Sequence, residues 1–60
     1  MRIKVVVVED DPIWRSLYRT MLGKDPDLEI ISEFESAEEA LEHIPRLNPD
    51  VAVVDYTLPE

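Results

Sequence analysis

The sequence contains no cysteine and only one glycine. The lack of cysteine excludes a disulfide framework, one of the usual supports of a chain as short as 60 residues. Basic residues are also few, since six Lys and Arg stand against 14 Asp and Glu, for a net charge of −8. Nucleic acids and anionic membranes bind positive surfaces, so we expect neither as a direct partner. The acidic balance favours cations and basic protein surfaces, although a need for solubility would also account for it.

Long hydrophobic runs are absent too. The longest, at residues 5–8, is far too short to span a bilayer, and the N-terminus shows no apolar signal-peptide region or cleavage site. We therefore expect a cytoplasmic chain without a membrane segment. A chain of this length has a marginal core, because only about 60% of its unfolded surface is buried on folding. It therefore needs a metal, a partner or the rest of a larger domain.

The first 23 residues predict a strand followed by a helix. Residues 3–8 form a short β-branched run typical of a parallel strand covered on both faces. Asp11 suits the N-cap of the following helix, Pro12 its first turn, and Gly23 a left-handed C-terminal stop. We expect Trp14 and Tyr18 to be core residues. They belong to the one apolar stripe of the helix, which consists of Ile13, Trp14, Leu17, Tyr18, Met21 and Leu22.

The remaining sequence predicts a second strand, a second helix and a third strand. Residues 28–34 partly alternate, as in an edge strand, and Ser36 opens a capping box before a helix that should end or kink at Pro45. Residues 51–54 form another fully apolar strand, which ends at Asp55. The order β-α-β-α-β implies right-handed crossovers and a parallel sheet.

Carboxylates follow two of these strands directly. Glu9, Asp10 and Asp11 come after the first strand, and Asp55 comes after the third. Ligands of open α/β sheets bind beyond the carboxyl ends of the strands, so Glu9, Asp10 and Asp55 converge if the first and third strands are neighbours. Carboxylates gathered in this way repel one another and favour a cation. An all-oxygen set of ligands suits Mg²⁺.

Two motifs then resemble a known family. The run Val-Val-Val-Glu-Asp-Asp-Pro at residues 6–12 and the run Val-Ala-Val-Val-Asp-Tyr-Thr-Leu-Pro at residues 51–59 closely resemble the receiver domains of two-component response regulators. The resemblance covers nearly the whole chain but only the N-terminal half of the family's domain. It is greatest to receivers that precede a helix-turn-helix DNA-binding domain, which implies a role in transcription regulation.

The resemblance implies a function for each acidic residue. Asp55 would accept a phosphoryl group from the phosphohistidine of a histidine kinase. Asp10, Asp55 and the backbone carbonyl of Thr57 would ligate Mg²⁺, and Glu9 would act through a water. The resemblance implies a signalling module, not an enzyme. A Mg²⁺-dependent phosphatase is disfavoured because Thr57 stands where such enzymes carry a second acid.

The resemblance also implies the fold, a flavodoxin-like half with a parallel sheet of order 2-1-3 and one helix on each face. Residues 1–60 would be a partial receiver domain, ending before the family's later Ser or Thr and Lys. The strand at Val51–Val54 would be an apolar edge that pairs with the remainder of the receiver or with a second copy. The alternative function is a phosphorylation-incompetent fragment that acts as an interaction or assembly module.

Overall fold

A computed structural model describes residues 2–55, which alternate between strands and helices. The elements are β1 (Ile3–Val8), α1 (Pro12–Leu22), β2 (Leu28–Phe34), α2 (Ala37–Leu47) and β3 (Val51–Val54). The strands form one parallel sheet in the order β2-β1-β3. The predicted β-α-β-α-β order and the 2-1-3 topology of a partial flavodoxin-like fold are therefore confirmed. No helix in this part of the chain has the length and apolar character needed to cross a membrane.

The central strand β1 determines which residues lie together at one edge of the sheet. Its last four residues pair in register with β3, from Val5 opposite Val51 to Val8 opposite Val54. The two strands therefore end together, and the Asp55 N–H donates to the Val8 carbonyl at 3.0 Å. As a result, the residues that follow β1 and β3 share one edge of the sheet.

The main hydrophobic core lies between the sheet and α2. Val6 and Val8 of β1 are buried there because their strand is paired on both sides and covered by the helix. They pack with Phe34 and Ala40, and the Phe34 ring stacks on His43 with 5.6 Å between ring centroids. Three half-buried apolar side chains complete this core: Ile31, Ile44 and Leu47.

Helix α1 begins as predicted but exposes its apolar stripe. Asp11 is the N-cap, with its Oδ1 accepting from the Ile13 N–H at 2.9 Å, and Pro12 stands in the first turn. The expectation that Trp14 is buried is wrong, since 51% of its surface is exposed. Three other stripe residues are also exposed: Ile13, Leu17 and Met21. The reason is geometric, because in residues 2–55 no further layer covers the outer side of α1.

The C-terminus of α1 differs from the prediction. Gly23 has right-handed dihedral angles (φ −67°, ψ −14°), so the expected left-handed stop is wrong. Its N–H closes the helix on the Arg19 carbonyl at 3.0 Å. A Cβ at residue 23 would lie 2.7 Å from that carbonyl oxygen, which is too close for any other side chain. Close approach of the backbone, and not positive φ, explains the glycine.

Helix α2 runs past Pro45, where the sequence predicts an end or a kink. The Oγ of Ser36 caps it by accepting from the Glu39 N–H at 3.2 Å. The helix does not end at Pro45 but continues to Leu47, because a proline near the C-terminus removes only one helical hydrogen bond. Asn48 supplies the left-handed stop, with φ 50°.

Candidate functional site

The carboxyl edge of the sheet carries an open pocket lined by acids. Glu9 and Asp10 reach it from the end of β1, and Asp55 reaches it from the end of β3. The N-terminal half of α1 forms the other wall, which is contributed by Asp11, Trp14 and Tyr18. The predicted convergence of Glu9, Asp10 and Asp55 is therefore seen at this edge. Thr57 lies outside the described residues.

Glu9 is the one buried charged residue of the described chain, with 3% of its surface exposed. Its backbone N–H donates to the Phe34 carbonyl at 2.9 Å, which fixes the residue between β1 and β2. Its Oε1 accepts from the Asp11 N–H at 3.0 Å. Its Oε2 is buried and has no hydrogen-bond partner among residues 2–55. An unpaired buried carboxylate oxygen is costly, so this atom favours a proton or a cation beside it.

The charges around the Glu9 carboxyl also favour a proton or a cation beside it. The Asp11 N–H lowers the pKa of the Glu9 carboxyl, but burial and the neighbouring carboxyls of Asp10 and Asp55 together raise it. The net effect is a pKa above the usual value of 4.5. Carboxylates that share a small volume disfavour one another's ionised form. The site therefore concentrates negative charge that a cation would stabilise.

Asp55 is half-buried and has a side-chain partner that the sequence analysis missed. The hydroxyl of Tyr18 donates to Asp55 Oδ2 at 2.9 Å. This hydrogen bond is the largest of the effects that raise the pKa of Tyr18, followed by burial and the charges of Asp55 and Glu9. The sequence feature that could have indicated this contact is the hydroxyl of Tyr18 within an otherwise apolar stripe. Tyr18 was instead predicted to be a core residue.

Arg15 is the second residue that the sequence analysis missed. Its Nη1 donates to the backbone carbonyls of Glu9 at 2.9 Å and Asp10 at 3.4 Å. Its Nη2 also lies 3.9 Å from an exposed Glu35 carboxylate. Arg15 is half-buried beneath the acids. It holds the loop by the backbone and makes no ion pair with Glu9, Asp10 or Asp55 among the described contacts.

The acidic residues are near one another without enclosing a metal position. Within residues 2–55, no group of three or more His, Cys, Asp or Glu side chains is arranged around such a position. Asp10 is exposed, and Asp55 Oδ2 is engaged by Tyr18. The ligand roles of Glu9, Asp10, Asp55 and Thr57 therefore remain predictions.

Comparisons with known proteins place the chain in a family. The model of the response regulator receiver domain matches residues 5–60. A protein-glutamate methylesterase/protein-glutamine glutaminase of Syntrophus aciditrophicus is 44% identical over 95% of this chain. A second such protein, from Rhizobium etli, is 43% identical over 93% of it. The DNA-binding transcriptional activator DevR/DosR of Mycobacterium tuberculosis is 40% identical over 97%. No solved structure matches the chain significantly.

These relatives also correct one expectation. The prediction that the chain is not an enzyme is contradicted, because the methylesterase/glutaminase relatives are named as enzymes. The chain spans 16% of each of those two proteins and 27% of the transcriptional activator. The aligned segment is the receiver part in each case. With the family model matched over residues 5–60 and the strand order of the fold in agreement, the chain belongs to the response regulator receiver domain family.

Proposed function

We propose that this chain is a phosphoacceptor module of two-component signalling and that it works in the cytoplasm. Asp55 would accept a phosphoryl group from the phosphohistidine of a histidine kinase. The observation that supports this role best is the pairing of β1 with β3, which places Asp55 beside the buried, partly unpaired carboxylate of Glu9. Asp55 also lines the open pocket, so a phosphodonor can approach it.

The proposed reaction is a transfer between two side chains. A carboxylate oxygen of Asp55 forms a bond to phosphorus while the phosphorus–nitrogen bond of the kinase histidine breaks. The departing imidazole takes up a proton, and the product is an acyl phosphate on Asp55. Positioning and charge stabilisation contribute most to such a transfer. In this chain Arg15 would contribute to positioning, since it holds the backbone of Glu9 and Asp10 beside the acceptor.

The residues of the site fit the Mg²⁺ that receiver domains generally bind. The donor set is all oxygen, and Glu9 Oε2 is buried without a partner among the described residues. Asp10, Asp55 and the Thr57 carbonyl would hold the ion, with Glu9 acting through a water. When bound, the ion would neutralise charge on the transferring phosphoryl group.

The test is to incubate the chain with Mg²⁺ and acetyl phosphate, and then to measure the intact mass. We expect one labile phosphoryl group in the wild type and none in Asp55→Asn. Asp27→Asn is the matched control, because it makes the same chemical change at the opposite edge of the sheet, just before β2. A folded wild type that stays unmodified, or modification that persists in Asp55→Asn, contradicts the proposal.

A second candidate function, an interaction or assembly module, is favoured by a different observation. The edge strand β3 exposes apolar surface, with Val54 56% exposed, and the stripe on α1 is exposed as well. We propose that residues 1–60 are the first three strands and two helices of a receiver, and that the remainder of the domain pairs with Val51–Val54. A second copy of the chain is the alternative occupant of that edge.

Sedimentation distinguishes these occupants. The chain alone should self-associate through β3, and Val54→Lys should abolish that association, because a lysine on an edge strand opposes pairing. A folded chain that sediments strictly as a monomer contradicts pairing with a second copy.

A further inference from the structure

Tyr18 is a helical side chain whose hydroxyl lies within the site. It lies on α1, 37 residues from Asp55 in sequence, and its hydroxyl is 2.9 Å from Asp55 Oδ2. Its ring is half-buried and packs against Trp14, with centroids 6.4 Å apart and planes tilted by 42°. No other side-chain hydroxyl or cation donates to Asp55 among residues 2–55.

We propose that Tyr18 is a positioning residue that holds the Asp55 carboxylate in its resting state and releases Oδ2 before phosphoryl transfer. This inference rests on the proposed function, because it assumes that Asp55 is the acceptor. It assigns Tyr18 a role in the rate of acceptance and not in the bond-forming step itself.

The chemistry of the hydrogen bond carries this argument. A hydroxyl that donates to an ionised carboxylate forms one of the stronger hydrogen bonds in proteins. It withdraws electron density from Oδ2 and occupies a lone pair that would otherwise face phosphorus or a cation. The hydrogen bond therefore stabilises the unmodified acceptor relative to the transition state, so breaking it adds to the barrier.

The surroundings make the hydrogen bond selective for the unmodified state. Glu9 lies beside Asp55 and repels its charge, while Arg15 is engaged with backbone carbonyls. Tyr18 is thus the group that offsets the negative charge of Asp55 from the helix side. When an incoming group engages Oδ2, the hydroxyl loses its acceptor, and the ring is free to shift against Trp14.

The kinetic test compares Tyr18→Phe with the wild type. With acetyl phosphate and Mg²⁺, an Asp55 oxygen bonds to phosphorus as the bond to the acetate oxygen breaks and acetate leaves. We expect Tyr18→Phe to form the acyl phosphate about tenfold faster, which corresponds to an activation barrier ~1.4 kcal/mol lower. Thr20→Val is the matched control, because the Thr20 hydroxyl lies on the same helix and donates to the Ser16 carbonyl. We expect this variant to react at the wild-type rate.

A spectroscopic test adds a second readout that starts from the unaltered chain. Trp14 is the single tryptophan, so its fluorescence reports the position of the Tyr18 ring. We expect phosphorylation to change that fluorescence in the wild type and to change it much less in Tyr18→Phe. A variant that reacts at the wild-type rate or more slowly overturns the inference. So does a fluorescence response that is the same in both proteins.

The two proposals fail in different ways. If the wild type is phosphorylated at Asp55 but Tyr18→Phe gains no rate, the assignment of Tyr18 is wrong and the proposed function stands. If neither protein is modified although circular dichroism shows both to be folded, the proposed function is wrong, and the role of Tyr18 is overturned with it.

Discussion

Replacing Phe34 tests whether the core beneath α2 supports the acidic site. Phe34 is 4% exposed and packs with Val6, Val8 and Ala40, while its carbonyl accepts from the Glu9 N–H at 2.9 Å. Phe34→Ala removes the ring and leaves a cavity at the end of β2, directly beside the strand that Glu9 follows. The same substitution therefore affects both the core and the position of the site.

The stability expected to be lost in Phe34→Ala is large compared with the total stability of the chain. Truncation of a buried Phe to Ala costs ~3–5 kcal/mol of unfolding free energy. A chain of 60 residues has a total of about 3–9 kcal/mol, at roughly 0.05–0.15 kcal/mol per residue. Phe34→Ala should therefore remove most of the stability and leave a large fraction of the chain unfolded. Phe34→Leu keeps most of the volume and should cost under about 1.5 kcal/mol.

The assay is urea unfolding followed by far-ultraviolet circular dichroism, with the acetyl phosphate reaction run on the same samples. Leu41→Ala is the control on α2, because Leu41 is 70% exposed and its truncation should cost less than about 0.5 kcal/mol. We expect Phe34→Ala to lose its unfolding transition and its phosphorylation, and Leu41→Ala to keep both. Equal urea midpoints for Phe34→Ala and Leu41→Ala would refute this account of the core.

Three further substitutions test the charges and caps. The raised pKa of Glu9 means that the folded chain binds this proton more tightly than the unfolded chain, so stability falls as pH rises above 4.5. Glu9→Gln should remove that fall, which urea midpoints at pH 5 and pH 7 without Mg²⁺ will show. Arg19→Met should lower the urea midpoint only slightly, since the Arg19 side chain is 61% exposed, although it donates to both oxygens of Glu33 at 2.8 Å. Arg19 lowers the pKa of Glu33, so this loss should be full above pH 4.5 and shrink as pH falls through the lowered pKa. Ser36→Ala should destabilise α2 by about 1 kcal/mol in thermal unfolding, because Ser36 caps that helix.

The sheet and the place of the acids could be predicted because they depend on short-range pattern and on topology. The runs that became β1 and β3 are apolar and β-branched, and each ends at a carboxylate. Once helices alternate with parallel strands, the residues after neighbouring strands share an edge. That rule places Glu9 near Asp55 without any knowledge of side-chain contacts.

The C-terminal ends of the helices could not be predicted from residue type alone. Gly23 and Asn48 both suit a left-handed stop, but only Asn48 adopts it, with φ 50°. At Gly23 the close carbonyl of Arg19, and not the dihedral angle, requires a glycine. Pro45 is tolerated because α2 has only two residues left after it. Each outcome depends on the path of the following segment, which a local pattern does not contain.

The orientation of α1 explains both the corrected burial and the missed contacts. Its inward face is a ridge at spacings of four and three residues, with Asp11, Arg15, Tyr18 and Leu22 all half-buried. Asp11 caps the helix and donates its N–H to Glu9, Arg15 holds the carbonyls of the acidic loop, and Tyr18 reaches Asp55.

The polar groups of this ridge therefore contact the site, while four residues of the apolar stripe are exposed: Ile13, Trp14, Leu17 and Met21. Apolarity alone predicted that Trp14 lies in the core, because the stripe is the larger hydrophobic surface of the helix. In the fold, the side of α1 toward the sheet contacts the acidic residues. The exposed stripe residues have no covering layer within residues 2–55. The exposed apolar surface that favours an assembly role and the Tyr18 hydroxyl that donates to Asp55 thus both result from the orientation of α1.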